Sequence, residues 1–339
     1  MVTERQFSPD FVHEGATCLK IVVARSAAEM ERLKPAWQTL AATQSYTIFQ
    51  SFEWNRLAAG HFASREAPFV VMAESDSGSA IVPAAIAYNS ELTLLGEMLF
   101  DYRDYLHAGA VTALASAFEQ LARLGCPLSV TAIRGEHRAE AWRPLQPASF
   151  CRAPGVRRAD MTADEFASEH NRLGRQLRRL TRQKVELRQC DGRSSSLLRH
   201  IYDQKSAQFN GSGVNIFGDW QRAQFLVAAA AMDASRCEIF TLETASQLVA
   251  ALVTFRDGDV RRFYTIYFNP AWGEFSPGTV LVYVVTQRSL AEGVDCDYMT
   301  GEQPHKMRLA RSFVPLYRLQ AGAESLSLMA RTGGVELAA

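Results

Sequence analysis

With 339 residues, of which 47% are apolar and 21% charged, the chain has the make-up of a globular protein and room for two domains, which excludes a disordered chain. Lysine plus arginine balances aspartate plus glutamate at 36 each, which argues against a dedicated nucleic-acid or membrane-surface protein. No signal-peptide pattern opens the sequence, no apolar run approaches the roughly 20 residues of a membrane span, and the six cysteines (Cys18, Cys126, Cys151, Cys190, Cys237, Cys296) are too scattered for a disulfide framework or a zinc motif. A cytoplasmic protein with no metal is expected.

In chain order, "CLKIVVA" (Cys18–Ala24) reads as a strand, and "SAAEMERLKPAWQTLAAT" as a helix capped by Ser26. "SFEWNRLAAG" is a second helix, capped by Ser51 and closed by Gly60. Three β-rich segments follow, "APFVVMAE", "SAIVPAAIAY" and "ELTLLGEM", then a helix ending at Gly125 and the strand "PLSVTAI". The Pro-rich stretch "PLQPASFCRAPGVRR" reads as a linker, so a boundary is expected between residues 145 and 160. Beyond it come the helix "TADEFASEHNRLGRQLRRLTRQK", the strand "VELRQC", the helices "SSLLRHIYDQKSAQF" and "DWQRAQFLVAAAAM", and a meander of three strands from Cys237 to Pro270. The helix beginning near Pro277 and a last strand, "VDCDYM", complete the pattern. The order of elements in the first half is repeated in the second, although no residue-level repeat accompanies it. The expectation is α/β: two domains, residues 18–150 and 151–325, each a mixed, mostly antiparallel sheet flanked by helices.

Four stretches carry chemistry. In "FSPGTVL" (Phe275–Leu281) a proline and a glycine separate a strand from the first turn of a long helix. A helix N-terminus offers free N–H groups and a partial positive charge, and Gly278 lets an anion approach the backbone. Phe275, Ser276, Pro277, Gly278 and Thr279 are therefore candidates for binding a phosphate-bearing ligand. In "DYMTGEQPHK", Asp297, Glu302, His305 and Lys306 follow an apolar strand. Such a set can pair a base, Glu302 or His305, with a positive charge, Lys306, that would stabilise a developing oxyanion. Arg175, Arg178, Arg179 and Arg182 fall on one helix face with no acidic residue between Arg172 and Lys184, as a phosphate-binding surface would require. "FDYRDYL" places Asp101, Tyr102, Asp104 and Tyr105 in a loop suited to a hydroxyl-rich or amine acceptor. Gly211, Gly213 and Gly218 punctuate a further loop, read as a mobile acceptor loop. Signatures of serine hydrolases, P-loop NTPases, dinucleotide-binding domains and zinc proteases are absent.

These motifs resemble, in order, those of the GNAT acyltransferase superfamily, and more closely its tandem branch of CelD-like acetyltransferases and FemX-type aminoacyltransferases. The resemblance is carried by "FQSFEWNRL" (Phe49–Leu57), "LLGEMLFDYRDYL" (Leu94–Leu106), "RLGRQLRRLTRQ" (Arg172–Gln183), "YFNPAWGEFSPGTVL" (Tyr267–Leu281) and "GVDCDYMTGEQPHK" (Gly293–Lys306). Here "SPGT" stands where the superfamily has its longer pyrophosphate loop, and His305 stands where the branch has a tyrosine. The resemblance implies a degenerate first domain and a catalytic second one. Acetyl-CoA would be the co-substrate, bound by residues 275–279 and Arg178, and Lys306 would hold the oxyanion. Asp101, Tyr102, Asp104 and Tyr267 would meet a small-molecule or saccharide acceptor, as in polysaccharide biosynthesis. The alternatives are a FemX-like enzyme drawing on aminoacyl-tRNA, the one reading that brings in a nucleic acid, and a non-catalytic ligand-binding module.

Overall fold

The computed structural model describes residues 19–43, 46–135, 145–208 and 215–332. Cys18, Gly211 and Gly213 lie outside the described residues.

In the first half, strands β1 (Lys20–Ala24), β2 (Glu66–Ser75), β3 (Gly78–Ala87), β4 (Leu92–Leu94), β5 (Leu106–Gly109) and β6 (Leu128–Arg134) are joined by helices. These are α1 (Ala27–Met30), α2 (Lys34–Thr43), α3 (Phe52–His61) and α4 (Thr112–Ala122). The expected caps form: Ser26 Oγ accepts the Glu29 N–H at 3.1 Å, and Ser51 Oγ accepts that of Trp54 at 3.3 Å. The second half runs β7 (Ala148–Val156), α5 (Ala163–Glu169), α6 (Asn171–Arg182), β8 (Glu186–Asp191), α7 (Ser195–Gln208) and α8 (Trp220–Met232). It continues through β9 (Cys237–Glu243), β10 (Leu248–Asp257), β11 (Val260–Phe268), α9 (Pro277–Ala291) and β12 (Asp295–Asp297). The short helix α10 (Pro304–Leu309), β13 (Ser312–Ala321) and α11 (Ala323–Thr332) follow.

Among the described residues, all thirteen strands join one sheet in the order β1-β2-β3-β4-β6-β13-β7-β12-β11-β10-β9-β8, with β5 paired to β3 off this path. Most neighbours are antiparallel; β4 with β6 and β11 with β12 are parallel. The last strand of the chain returns to the middle, so β13 pairs with β6 (Leu316 opposite Arg134) and with β7 (Val314 opposite Ala153). β9, β10 and β11 are buried on both faces because α7 and α8 cover one side and α5, α6 and α9 the other.

Three sequence expectations are revised. The Pro-rich stretch read as a linker is strand β7. It accommodates Pro154 because the Pro154 carbonyl accepts the Tyr298 N–H at 2.9 Å on the side where β12 has just ended, so no ladder donor is needed there. The "VDCDYM" strand is followed by α10, β13 and α11. The basic helix breaks at His170 into α5, whose capping box pairs Thr162 with Glu165, and α6.

Candidate active site

β11 and β12 run parallel for three residue pairs, Val260–Asp295, Arg261–Cys296 and Arg262–Asp297, and then part. Arg262 is buried where they separate. Its Nε donates to Asp257 at 2.8 Å and its Nη1 to Asp297 at 2.6 Å. Asp297 also accepts the Met299 N–H at 2.8 Å and the Tyr102 hydroxyl at 2.7 Å. A buried ion pair holds only when its remaining lone pairs and protons are satisfied, and this one is tied into both halves of the chain. The loop after β12 is thereby fixed at a distance from the second half of β11. Side chains of α7 take up the strand edge left behind: Lys205 Nζ donates to Ile266 O at 2.6 Å and Gln208 Nε2 to Phe268 O at 2.5 Å.

The space between the parted strands is a cleft of about 750 Å³. One wall is β11 (Phe263 to Ile266, and Phe268); the other is Met299, Thr300, Gln303, His305 and Lys306. Met98, Leu99 and Asp101 of the first half close one side, and Lys205, Gln208 and Phe217 another. The Tyr264 hydroxyl donates to Leu99 O at 2.6 Å, which clamps the two halves together at the cleft.

Five ionisable groups line it among the described residues: Asp101, Lys205, Tyr264, His305 and Lys306. Lys306 Nζ donates to Thr300 O at 2.7 Å, and the Thr300 hydroxyl donates to the Asp101 carboxylate. Burial pushes Asp101 up to about 6, with the nearby Asp297 charge adding, while the Thr300 hydrogen bond, Lys306 and Arg103 pull the other way. Lys205 is drawn down to about 8, first by burial and then by Lys306. Lys306 is lowered by burial, against the pull of Asp101 and Asp297. His305 is lowered by burial and by the cations Lys306, Arg308 and Lys205, so it is neutral at neutral pH.

Behind the β11 wall lies the start of α9. Ser276 is exposed in the left-handed region (φ 50°, ψ 50°), and its side chain makes no capping hydrogen bond. Gly278 is buried: a Cβ built on it would meet Ile266 Cδ1 at 3.4 Å and Phe268 Cβ at 3.5 Å, two residues of the cleft wall. The arginine helix stands beside this turn. The Arg179 guanidinium lies 4.9 Å from the centre of the Phe275 ring and 3.6 Å from Glu274. Arg175, Arg178 and Arg182 face solvent, and Leu173, Leu177 and Leu180 pack inward against the core that α9 shares.

Residues 167–307 match the family model described as an acetyltransferase (GNAT) domain. A GNAT acetyltransferase domain thus lies in the second half of the chain. Likeness in fold to solved structures extends over nearly the whole molecule. The C-terminal domain (DUF2156) of a proposed lysylphosphatidylglycerol synthetase from Agrobacterium fabrum superposes with a TM-score of 0.58 at 12% identity, covering 92% of this chain and 99% of that one. FemX gives 0.58 at 7% identity, with 88% and 98% covered. A tandem GNAT protein from the clavulanic acid pathway gives 0.51 at 10%, with 90% and 98% covered. At these identities the likeness speaks for the fold alone. No curated protein matches the chain in sequence.

Of the residues that the sequence nominates, the cleft brings together Asp101, His305 and Lys306. Glu302 points elsewhere and is ion-paired to Arg152 at 2.5 Å. Tyr102 is buried, with its hydroxyl on Asp297. Asp104 is buried and accepts the Tyr105 N–H at 2.9 Å. Tyr267 lies in the core under α7 and α8. Phe275, Pro277 and Gly278 are buried, Thr279 is half-buried, and Arg178 is exposed on α6. Lys205, Thr300 and Gln208 were not singled out by sequence reasoning. Lys205 is one lysine on a mixed helix, and only the fold aims it at β11. Among the described residues no group of three or more His, Cys, Asp or Glu side chains could hold a metal ion, and no helix is long and apolar enough to cross a membrane.

Proposed function

We propose that the enzyme transfers an acyl group, in the simplest case acetyl from acetyl-CoA, to an amine or hydroxyl of a small-molecule or saccharide acceptor. The observation that carries this reading is the parting of β11 and β12 after Arg262, with the uncapped start of α9 beside the cleft so formed. An extended thioester arm fits the cleft between two parted strands, and its phosphates fit a helix N-terminus beside the arginine helix. The second half of the chain would then be the donor domain, and the first half would supply the acceptor wall through Met98, Leu99 and Asp101.

Asp101 is the best-placed base. It lines the cleft, and an acidity near neutrality suits proton removal from an attacking amine or alcohol. Lys306 stands one Thr300 away and would donate to the carbonyl oxygen as it turns negative. The acceptor atom bonds to the acyl carbon, its proton passes to Asp101, and the carbon–sulfur bond breaks to release the thiolate, which is protonated from Asp101 or water. His305, neutral and partly buried, would line the acceptor side. Glu302, held by Arg152, is left without a part in this scheme.

A second reading is favoured by the exposed arginines of α6: an aminoacyl-tRNA donor, as in FemX-type enzymes. Thermal-shift titration with CoA, acetyl-CoA and longer acyl-CoAs separates the two, since a ligand that binds the native state raises the melting temperature by mass action. A saturable rise with acetyl-CoA is expected. No rise with any CoA, together with salt-sensitive RNA binding, would replace the first reading by the second. Ligand-induced shifts with no turnover of any acceptor would favour the non-catalytic module.

A further inference from the structure

A second concavity, of about 330 Å³, lies between α7 and α8. Arg199, Asp203 and Ser206 line it at i, i+4 and i+7 of α7, and Trp220 and Gln224 at i and i+4 of α8, so each helix turns one face to it. Phe217, in the turn before α8, lines both this groove and the cleft. Its ring is stacked on Tyr202, with 5.4 Å between centres and 11° between planes. Asn215 binds the turn to α7 by donating to Ser206 O at 2.9 Å and accepting the Gly218 N–H at 2.9 Å. Phe217 is thus a fixed wall shared by the two spaces. Trp220 is 73% exposed, and its indole makes no hydrogen bond or ring contact among the described residues. Its backbone is nevertheless anchored, because Asp219 accepts the Gln221 N–H at 3.0 Å and is ion-paired to Arg65. A lone exposed apolar side chain is ordinary; the setting of this one is not. Arg199 and Asp203 are exposed one helical turn apart with opposite charges, yet neither forms an ion pair among the described residues, and the Gln224 amide has no hydrogen-bond partner among them.

We propose that this groove is a subsite for a neutral sugar ring of the acceptor, next to the ring that enters the cleft. This rests on the saccharide-acceptor reading of the cleft and adds that the acceptor carries a second ring. One guanidinium and one carboxylate leave the lining without net charge, so an anion loses to Asp203 what it gains from Arg199. A hydroxyl both donates and accepts, and can use Arg199, Asp203 and Gln224 together. The C–H face of a pyranose is slightly positive and packs on the negative face of an indole, here that of Trp220. A flat apolar ring would use Trp220 and desolvate the polar groups without pairing them; an acyclic polyol would use the polar groups and leave the indole wet. A sugar ring serves both. Because Phe217 is common to the two spaces, a glycosidic link across its edge would carry the chain from the groove into the cleft, where the reacting amine or hydroxyl would meet Asp101.

The test needs neither an acyl donor nor the natural acceptor. The full chain is prepared with 5-fluorotryptophan, and the Trp220 fluorine resonance is assigned by its absence from Trp220→Phe. Cellobiose, maltose and N,N′-diacetylchitobiose are titrated, each beside its monosaccharide, with sorbitol as the acyclic polyol and sodium phosphate as the anion. At least one disaccharide is expected to shift the Trp220 resonance saturably and to bind more tightly than its monosaccharide, while sorbitol and phosphate leave the resonance in place. By calorimetry that disaccharide should bind about tenfold more weakly to Trp220→Ala, which loses the stacking face, and more weakly to Asp203→Ala. Tyr88→Ala removes an aromatic that is 89% exposed at the β3–β4 turn and should bind as the native protein does. All three side chains are exposed, so all three variants should melt with the native protein. If no sugar moves the Trp220 resonance, or sorbitol moves it as far, the inference is overturned and Trp220 is a bare surface side chain. Equal affinity for a disaccharide and its monosaccharide overturns the placement beside the cleft. Sugar binding without any acyl-CoA binding would count against the acetyl-CoA reading and leave the groove standing; acyl-CoA binding without a sugar response would do the reverse.

Discussion

Replacing Ser276 by aspartate separates the stability of α9 from its capacity to hold an anion. Ser276 is exposed, sits at the head of a 15-residue helix in the left-handed region, and caps nothing with its side chain. Aspartate tolerates that backbone conformation nearly as well as any residue but glycine. Its charge would lie against the positive end of the helix, which favours the free protein by about 0.3–1 kcal/mol. The same charge opposes a donor phosphate at that end. For unit charges about 6 Å apart at an effective dielectric constant of about 40, Coulomb's law gives about 1.4 kcal/mol, or about tenfold in affinity. Ser276→Asp should therefore melt no lower than the native protein while binding acetyl-CoA about tenfold more weakly by calorimetry. Ser276→Asn should bind normally. The gap between the two variants should narrow at high salt, because the site is exposed. Gly278→Asp is a poorer probe, since it would bury a charge against Ile266 and Phe268 and confound binding with misfolding. Equal affinity in Ser276→Asp and Ser276→Asn would refute the placement of the donor phosphates at α9.

Three further outcomes follow from the same geometry. Lys306→Met should lower kcat by about 10²–10³-fold, the usual cost of losing one oxyanion donor, while calorimetric donor affinity stays within about twofold. Asp101→Asn should abolish the acid limb of kcat/KM, which in the native enzyme rises with pH through about 6 as the carboxylate forms. Because the folded value lies above the unfolded one of about 3.9, the native protein loses stability as pH climbs between those values; Asp101→Asn should therefore melt higher than native at pH 8 and equally at pH 3.5. Replacing Arg175, Arg178 and Arg182 together by glutamine should leave the melting temperature within about a degree, since all three are exposed, and should flatten the salt dependence of donor binding.

The sequence made the local elements legible and left the long-range ones hidden. Serine caps, apolar periodicity and the Pro-Gly pair that opens α9 are short-range signals, and each names its element. β7 was obscured because Pro154 and Gly155 imitate a linker; a proline is tolerated there only because β12 stops one residue short, a fact about another part of the chain. The return of β13 to the centre of the sheet has no local signature at all, since its partners lie more than 150 residues earlier. The candidate site divides in the same way. Lys306, His305 and Asp101 stood out as polar residues beside apolar strands. Glu302 stood out equally, yet its partner Arg152 comes from β7 and turns it away from the cleft. Lys205 carried no mark, because its meaning depends on the parting of β11 and β12.

That parting is held by a network whose weakest member can be tested. Tyr102 donates to both oxygens of Asp297, at 2.7 and 2.9 Å, and is the chain neighbour of Asp101. Tyr102→Phe removes a hydrogen bond to a charged group but leaves Arg262 and the Met299 N–H on Asp297. The expected loss of stability is about 1.5–3 kcal/mol, measurable by urea unfolding. If Tyr102 also fixes the wall that shields Asp101, loosening it admits water and relieves the burial that raises Asp101. The acid limb of the pH–rate profile should then move down from about 6 toward the ordinary carboxylate range. A mere brace between the halves would cost the same stability and leave the limb where it was. The direction of the limb, rather than the size of the stability loss, decides whether the first half of the chain tunes the chemistry or only supports the second.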